Sequence, residues 1–482
     1  MESSERVTRV GRRDVKKPKH VVVIGGGASG VLVAARVLDA TGAHPARVTL
    51  LERGRIVGAG VAYGTDDSEH LLNVRASGMS ADPSRPHEFA DWASGVGMRD
   101  PTQFAPRLRY RAYLANHLEA AACGAPDGGL DILHDEAVRL EPSESRCSIE
   151  LRTGRRLDAD AAVVATGNPP PGVPAALQPV AHDESWIGDP WAPGAIERLA
   201  RARSILLIGT GLTAIDVLLS ASRTSQAEIV AVSRHGLLPA AHLADARPGK
   251  VDVTELVADA NSLRDLTRRV CAFARDPEND VDWRDVVDGF RPLLNAHWTR
   301  LSAIERKNFV TRLARFWDVH RHRMPPASAS KVAQLEATGR LSTLAATVVS
   351  VEARAATISV ELRVAGRTVR VESDAVVNCT GPGRGWQQSS RTLIGDLVQR
   401  GHAIPDPLGL GLASTPNGQL VDASGGTIPN VFVLGPPRRG TLWETTAVPE
   451  IRSQALHIAD HVVIGAPSES TSRTESDSSI PS

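Results

Sequence analysis

Cysteine is scarce and scattered. Among 482 residues only Cys123, Cys147, Cys271 and Cys379 occur. No C-x-x-C or C-x4-C pair exists, which removes a redox-active disulfide and argues against a zinc site. Isolated thiols fit small buried hydrophobes in a reducing cytosol. Charge of one sign is also missing: Lys+Arg and Asp+Glu are both 55, for a formal net charge of zero. Nothing therefore points to nucleic acid or another polyanionic partner. No apolar run approaches the roughly 18 residues that a membrane span needs. Residues 1–18 are polar and basic, lack the apolar core of a signal peptide and read as a disordered arm. Residues 466–482, rich in Ser, Thr and Glu, read as a disordered tail. The expectation is a cytoplasmic protein, off the membrane, with two or three domains.

What is present is a repeated pattern. His20-Val21-Val22-Val23-Ile24 predicts a short buried parallel strand, and Val31–Leu38 a helix. Between them lies Gly25-Gly26-Gly27-Ala28-Ser29-Gly30, in the strand–turn–helix context that G-x-G-x-x-G requires. Gly25 suits a tight turn, Gly27 a close backbone approach to a pyrophosphate, and Gly30 close helix–strand packing. The helix N-terminus then offers N–H groups to phosphates. A second strand, Arg47–Leu51, ends in Glu52, placed for a ribose hydroxyl. The glycine-rich Gly58–Thr65 suggests backbone lying against a flat ligand. Arg107, Arg109 and Arg111 open a helix to about Ala122 and cannot share one face; one or two could hold a phosphate or a carboxylate. Short strands from Ile132 to Asp160 lead to the buried strand Ala161–Ala165, the turn Thr166-Gly167 and a proline-rich crossing at 168–172. A second crossing surrounds Asp189–Pro193.

The opening pattern then recurs. Ser204–Ile208 is a strand, Gly209-Thr210-Gly211-Leu212-Thr213-Ala214 the turn, and Ile215–Ala221 a helix. The following strand, Glu228–Val232, ends in Ser233-Arg234-His235 instead of an acid. An Arg there accommodates a ribose 2′-phosphate, which Glu52 would repel. The first fold therefore calls for FAD and the second for NADPH. Residues 250–325 are helical in pattern; Trp191, Trp283, Trp298 and Trp317, half of the chain's eight tryptophans, read mostly as core. His320 and His322 stand at i, i+2, which splays them on a helix, so a polar cleft wall is preferred to a metal site. Strands alternate from Leu341 to Val371. Asp374–Pro382 repeats the strand and Thr-Gly turn, with Gly381, and reads as the return into the first domain. A last strand, Asn430–Gly435, leads through Arg438 and Arg439 to a Trp443–Glu450 segment with Thr445 and Thr446, where a flavin ring could be stabilised, and a final helix.

Two nucleotide folds, two Thr-Gly crossings and no cysteine pair give a chain that resembles the flavoprotein monooxygenases with two dinucleotide-binding domains. More closely, it resembles bacterial FAD/NAD(P)-binding proteins with a G-x-G-x-A-Y-G-T loop (Gly58–Thr65), an L-L-N-V-x-A box (Leu71–Ala76), a stretch like His320–Pro326 and a W-E-T-T-A-x-P-E-I-R segment (Trp443–Arg452). The resemblance spans about residues 18–465. It implies kinship with N-hydroxylating monooxygenases of natural-product biosynthesis, including enzymes that oxidise aspartate's amine to nitrosuccinate. Two departures are visible: the F-x-G-x-x-x-H fingerprint is absent between the domains, and the usual Gly-Asp at the flavin's ribityl chain is Gly435-Pro436.

The expected fold is α/β with two Rossmann-like domains of the glutathione-reductase type. FAD-binding residues 19–190 and 336–465 would flank an NADPH-binding insertion at 191–335 that carries a helical part. The expected activity is NADPH-dependent flavin monooxygenation of a small polar amine or amino acid, through a flavin C4a-hydroperoxide, with dioxygen as co-substrate. An NAD(P)H-dependent flavin oxidoreductase without oxygen insertion, or a non-catalytic nucleotide-binding protein, is the alternative. Cofactor contacts are expected at Gly25, Gly27, Gly30, Glu52, Thr166, Gly167, Gly209, Gly211, Arg234, Gly381, Gly435, Thr445 and Thr446. Substrate carboxylates would fall to Arg75, Arg323, Arg438 and Arg439, whose planar forks suit them. No metal is expected.

Overall fold

The computed structural model describes residues 18–40, 46–98, 100, 102–125, 129–245, 251–258, 260–383, 386 and 392–464. Apart from Pro18, the expected arm and tail lie outside the described residues. In chain order the strands are β1 (Lys19–Ile24), β2 (Ala46–Leu51), β3 (Leu130–Leu133), β4 (Ala137–Pro142), β5 (Cys147–Leu151), β6 (Arg156–Ala159), β7 (Ala161–Val164), β8 (Trp186–Ile187), β9 (Ser204–Ile208), β10 (Glu228–Ser233), β11 (Leu341–Ala353), β12 (Ile358–Val364), β13 (Arg367–Ser373), β14 (Ala375–Asn378), β15 (Gln419–Val421) and β16 (Thr427–Val433). They form a six-stranded sheet, β15-β16-β7-β1-β2-β3, a seven-stranded sheet, β13-β12-β11-β10-β9-β14-β8, and a three-stranded sheet, β4-β5-β6.

The strands that begin each nucleotide pattern are apolar on both faces because both faces are covered. Val21, Val23 and Leu50 pack under the helices Ala28–Asp39, Arg107–Gly124 and Val448–Ile464. Val22, Ile24 and Val164 meet Leu140, Ile149 and Leu157 of the three-stranded sheet. The second sheet repeats this scheme. Ile205, Leu207 and Ile229 pack under Leu212–Thr224 and Pro326–Ala337, while Leu206, Ile208 and Val232 meet Val360 and Leu362 of β12. Each of the two α/β sheets thus has helices on one face and antiparallel strands on the other.

The domain limits differ from those expected. β14 pairs in parallel with β9 and β8, so Asp374–Pro382 completes the second sheet and does not re-enter the first. β8 joins it before residue 191, and β11 to β13 extend it well past 335. The strand followed by Thr-Gly is a feature of each nucleotide sheet, so its recurrence marks a second sheet's own last strand. The return to the first sheet comes afterwards. There the outgoing and incoming crossings touch, Gly383 N donating to Pro170 O at 3.1 Å.

The helical part, Thr254 to Arg321, contributes to two small cores, one of them shared with Leu410 and Trp443. Trp298 is buried in one of them with Phe309 and Trp443. Trp191, Trp283 and Trp317, expected mostly as core, are only half-buried.

Candidate functional site

At the first turn Gly25 N donates to Leu51 O at 2.9 Å and its φ is 109°. A Cβ there would fall 2.5 Å from Ala165 O, and one on Gly30 would overlap Gly25 O. Glycine is required at both for the chain to turn and the helix to close on the sheet. Glu52 ends β2 with both oxygens engaged, Oε2 accepting from Gly26 N (2.9 Å) and Oε1 from Gly54 N (2.6 Å). The Gly58–Thr65 loop lies against the turn itself, where a flat ligand was expected. Gly58 N donates to Gly26 O at 2.7 Å, and a Cβ on Gly27 would stand 3.4 Å from Gly60 Cα. The room left by Gly27 is thus shared with the loop.

The second turn has the same backbone and no such cover. Gly209 N donates to Val232 O at 2.7 Å with φ 114°, and a Cβ would run into Cys379 O. Around Gly211 nothing lies within 4 Å of where a Cβ would be. In both turns the helix that follows has no side-chain cap and no acid in its first turn. The partial positive charge of each helix start is therefore left for an anion. Arg234 is exposed beside the second turn. It is joined by a residue the sequence reading missed: Arg315, whose Nη2 donates to Thr210 Oγ1 (2.9 Å) and to Leu237 O. Burial and the nearby Arg234 hold the Arg315 pKa below its ordinary value, despite Asp318. Two guanidinium groups of like charge so close together suit a multiply charged anion. Arg315 lies in the helical insertion, far along the chain from the Rossmann signature, and only the fold brings it here.

Arg315 belongs to the helix Ala314–Arg321, which follows a π-helical turn, Phe309–Leu313. The helix stops before Pro325, whose ring disfavours helical backbone in the residue ahead of it. At its other end Arg321 reaches Glu444 (3.3 Å), and Trp317 Nε1 donates to Glu444 Oε1 (3.1 Å). Next along the chain, Thr445 Oγ1 donates to Gly435 O (2.9 Å) and is itself bonded by Gln454 Nε2 (3.0 Å). A Cβ on Gly435, at φ 74°, would strike Ser29 Oγ at the start of the first helix. An element about 12 Å long therefore has one end on the second glycine turn and the other on the segment that abuts the first.

Three of the four arginines expected at a substrate are engaged elsewhere. Arg438 is 1 % exposed and donates to Thr415 O (3.0 Å) and Pro416 O (2.8 Å), with burial lowering its pKa to about 10. It ties its own turn to a neighbouring loop. Arg323 is paired with both oxygens of Asp288, at 2.6 and 2.7 Å. Arg75 donates to Leu243 O (2.7 Å) and Thr102 O while lying over Phe104. In each case the nearest acceptors are the protein's own, a competition that sequence spacing does not reveal. Arg439 is the exception: its guanidinium lies 4.5 Å over the Trp443 ring, and it has no ion-pair partner among the described residues. Thr445 is likewise spent within the fold, whereas Thr446 is half-buried. Thr166 is exposed, and nothing lies near a Cβ on Gly167 or Gly381. His320 is exposed and edge-on to Trp283, while His322 stands 3.8 Å from Asp318.

The Leu71–Ala76 box and its neighbours hold the two sheets together. Arg107 pairs with Asp216 of the second sheet's first helix at 2.7 Å. His70 lies between Thr65 Oγ1 (2.7 Å) and Ser220 Oγ (2.9 Å), and Ser220 Oγ donates to Asp67 (2.6 Å). Of the three helix arginines, Arg107 thus serves the domain interface and Arg111 pairs with Asp66 at 2.8 Å. Arg109 reaches a loop carbonyl, Val96 O.

Residues 22–169 match the family of FAD-NAD(P)-binding domains. No curated protein sequence matches the chain. Among solved structures, ornithine hydroxylase from Pseudomonas aeruginosa is similar with a TM-score of 0.61 at 16 % identity, over 93 % of this chain and all of that one. L-Lysine 6-monooxygenase from Pseudomonas syringae gives 0.61 at 17 % identity over 93 % and 100 %. The ornithine N-hydroxylase of Kutzneria sp. 744, solved with reduced FAD, NADP+ and L-ornithine, gives 0.61 at 14 % identity over 92 % and 99 %. The likeness is one of fold. The α/β architecture with two dinucleotide-binding sheets is the one expected, and no helix among the described residues is long and apolar enough to cross a membrane.

Proposed function

We propose that the protein is an NADPH-dependent flavin monooxygenase that N-oxidises a small polar amine or amino acid, with L-aspartate among the candidates and dioxygen as co-substrate. The observation that carries this reading is the bridge: two equivalent glycine turns, with Ala314–Arg321 running from one to the segment abutting the other. FAD fits the first turn. There the helix start is uncapped, the loop from Gly58 closes one side, and Glu52, Thr166, Gly167 and Gly435 surround the carboxyl edge. Gly381, at the end of β14, fits the crossing beside it, and Thr446 the edge of the Trp443–Arg452 segment. NADPH fits the second turn, with Gly209, Gly211, Arg234 and Arg315 at the phosphates. When bound, the flavin supplies the redox chemistry, accepting hydride and activating dioxygen.

What this chain's residues do is position and shield. Gly25 and Gly209 let each strand turn tightly into its helix, where a Cβ would strike Ala165 O or Cys379 O, and Gly27 and Gly211 leave backbone free to approach phosphate. Arg234 and Arg315 select for a 2′-phosphate. Trp298, Phe309 and Trp443 form an apolar wall beside the segment that abuts Gly435 and limit water there. Arg107, His70 and Ser220 fix the two sheets against one another, so the relative placement of the two nucleotides is built in.

The test is to purify the protein, record its visible spectrum and follow NADPH consumption across a panel of amino acids and small amines. A flavin spectrum, stimulation by one amine and an N-hydroxylated product are the expected results. NADPH oxidation tightly coupled to a quinone, with no oxygenated product from any amine, would replace the monooxygenase with a reductase.

A further inference from the structure

The Ala314–Arg321 helix and the segment around Trp443 bring together a cluster of charged groups, and most of them cancel in pairs. Arg321 meets Glu444 at 3.3 Å, and Arg291 Nη2 meets Glu450 at 2.7 Å. Two groups are left over. Asp318, in the middle of the helix, has an Oδ1 sealed from solvent with no hydrogen-bond partner, although 32 % of its side-chain surface remains open. His322 Nε2 stands 3.8 Å away. At that distance it makes no hydrogen bond to the carboxylate, and burial and the surrounding Arg321, Arg439 and Arg291 hold its pKa down to about 3. The second is Arg439, held over Trp443 with a buried, unpartnered Nε. Asp318 and Arg439 influence one another electrostatically but do not form an ion pair.

Resting on the reading above, we propose that Asp318 and Arg439 are the two poles of an amino-acid site, Asp318 taking an ammonium group and Arg439 a carboxylate. A half-buried charge without a partner is costly, and a zwitterion supplies a partner to each pole while adding no net charge. Arg439 is preset for the task, since stacking on Trp443 leaves the edge of its planar fork for a bidentate partner. Asp318 also has a chemical part. An ammonium must lose a proton before its nitrogen lone pair can react. In that step the N–H bond breaks, its electrons stay on nitrogen, and the proton forms an O–H bond on Asp318. Burial raises the Asp318 pKa above the ordinary carboxylate value, against the lowering influence of Arg439, Arg315 and Arg321 and together with Glu444. That shift makes the carboxylate a better proton acceptor.

The experiment separates binding from turnover. Calorimetric titration of the flavin-loaded enzyme uses L-aspartate, L-ornithine and L-lysine, then analogues of whichever binds: one lacking the α-amine, one lacking the α-carboxylate. For L-aspartate these are succinate and β-alanine; for L-ornithine, 5-aminopentanoate and 1,4-diaminobutane; for L-lysine, 6-aminohexanoate and 1,5-diaminopentane. Asp318→Asn should weaken the amino acid and the analogue that keeps the ammonium on the Asp318 pole at least tenfold. It should leave the analogue without that group unchanged. Arg439→Gln should weaken the amino acid and spare the analogue that lacks the carboxylate, and Arg439→Lys should restore part of the loss. Asp318→Asn should also displace the pH dependence of turnover toward alkaline pH. If both substitutions weaken every probe alike, or neither weakens any, the two-pole site is wrong. If no amino acid binds at all, it is wrong as well. Binding that follows the crossed pattern without stimulating NADPH oxidation would support the site and defeat the monooxygenase reading.

Discussion

At the first glycine turn Gly25 has φ 109°, and at the second Gly209 has φ 114°. Each N–H bonds the end of the neighbouring strand, and each glycine is pressed against the residue after a Thr-Gly strand's last position. Beyond this shared backbone the two part. Over the first, the Gly58–Thr65 loop comes close enough that a Cβ on Gly27 would touch Gly60, and Glu52 is tied to two backbone N–H groups. Over the second, Gly211 faces open space and the neighbouring charges are Arg234 and Arg315. A covered site suits a nucleotide that stays and an open one suits a nucleotide that comes and goes. One local motif thus has two surroundings, and the difference is made by what packs on it.

Substitutions at matched positions should break or sharpen this contrast, and the largest effect belongs to the covered turn. Gly27→Val should purify colourless, because its γ-carbons meet both Gly60 and the space for a pyrophosphate; full flavin content by absorbance would refute the assignment of FAD to this turn. Next comes Gly209→Ala, which combines a left-handed φ with a clash against Cys379 O and should cost about 3 kcal/mol of stability or more, read from denaturant unfolding.

Arg234→Ala should raise the Michaelis constant for NADPH by about tenfold to a hundredfold and leave NADH nearly unchanged, the loss of one charged hydrogen bond. Arg315→Ala should act in the same direction. Equal effects on both cofactors would remove these residues from the 2′-phosphate.

A smaller effect is expected from His242, whose Nε2 lies 3.0 Å from Asn73 O and so joins the second domain to the Leu71–Ala76 box. Burial, then Arg323, lowers its pKa to about 4 from an ordinary 6.5. The folded state therefore favours the neutral ring. Its contribution is complete above pH 6.5 and is lost as pH falls toward 4. Acid should destabilise the protein across that window through this residue, and His242→Gln should flatten the profile. Smallest of all is Gly211→Ala, with φ −84° and nothing within 4 Å. Its unfolding free energy should match the parent to within about 0.5 kcal/mol, in contrast to Gly209→Ala two residues away.

Local chemistry was enough to reveal the two strand–turn–helix units. A left-handed φ, a helix start against a strand and a buried apolar strand each depend on neighbours a few residues away, so Gly25, Gly30 and Gly209 could be read directly from the chain. Sheet membership could not. Asp374–Pro382 carries the same letters whichever sheet it joins, and only the parallel register with β9 assigned it to the second. The arginines teach the same lesson more sharply. Arg75, Arg323 and Arg438 have the charge and reach for a ligand, but a guanidinium goes to whatever acceptors the fold puts nearest, here Leu243 O, Asp288 and Pro416 O. Conversely, Arg315 and Asp318 lie in a helical insertion with no nucleotide signature. They matter because tertiary packing lays their helix from the second turn to the segment beside the first. Backbone geometry is set by short-range sterics and is written locally, whereas the partner of a charge is chosen among all groups that folding brings within a few ångströms.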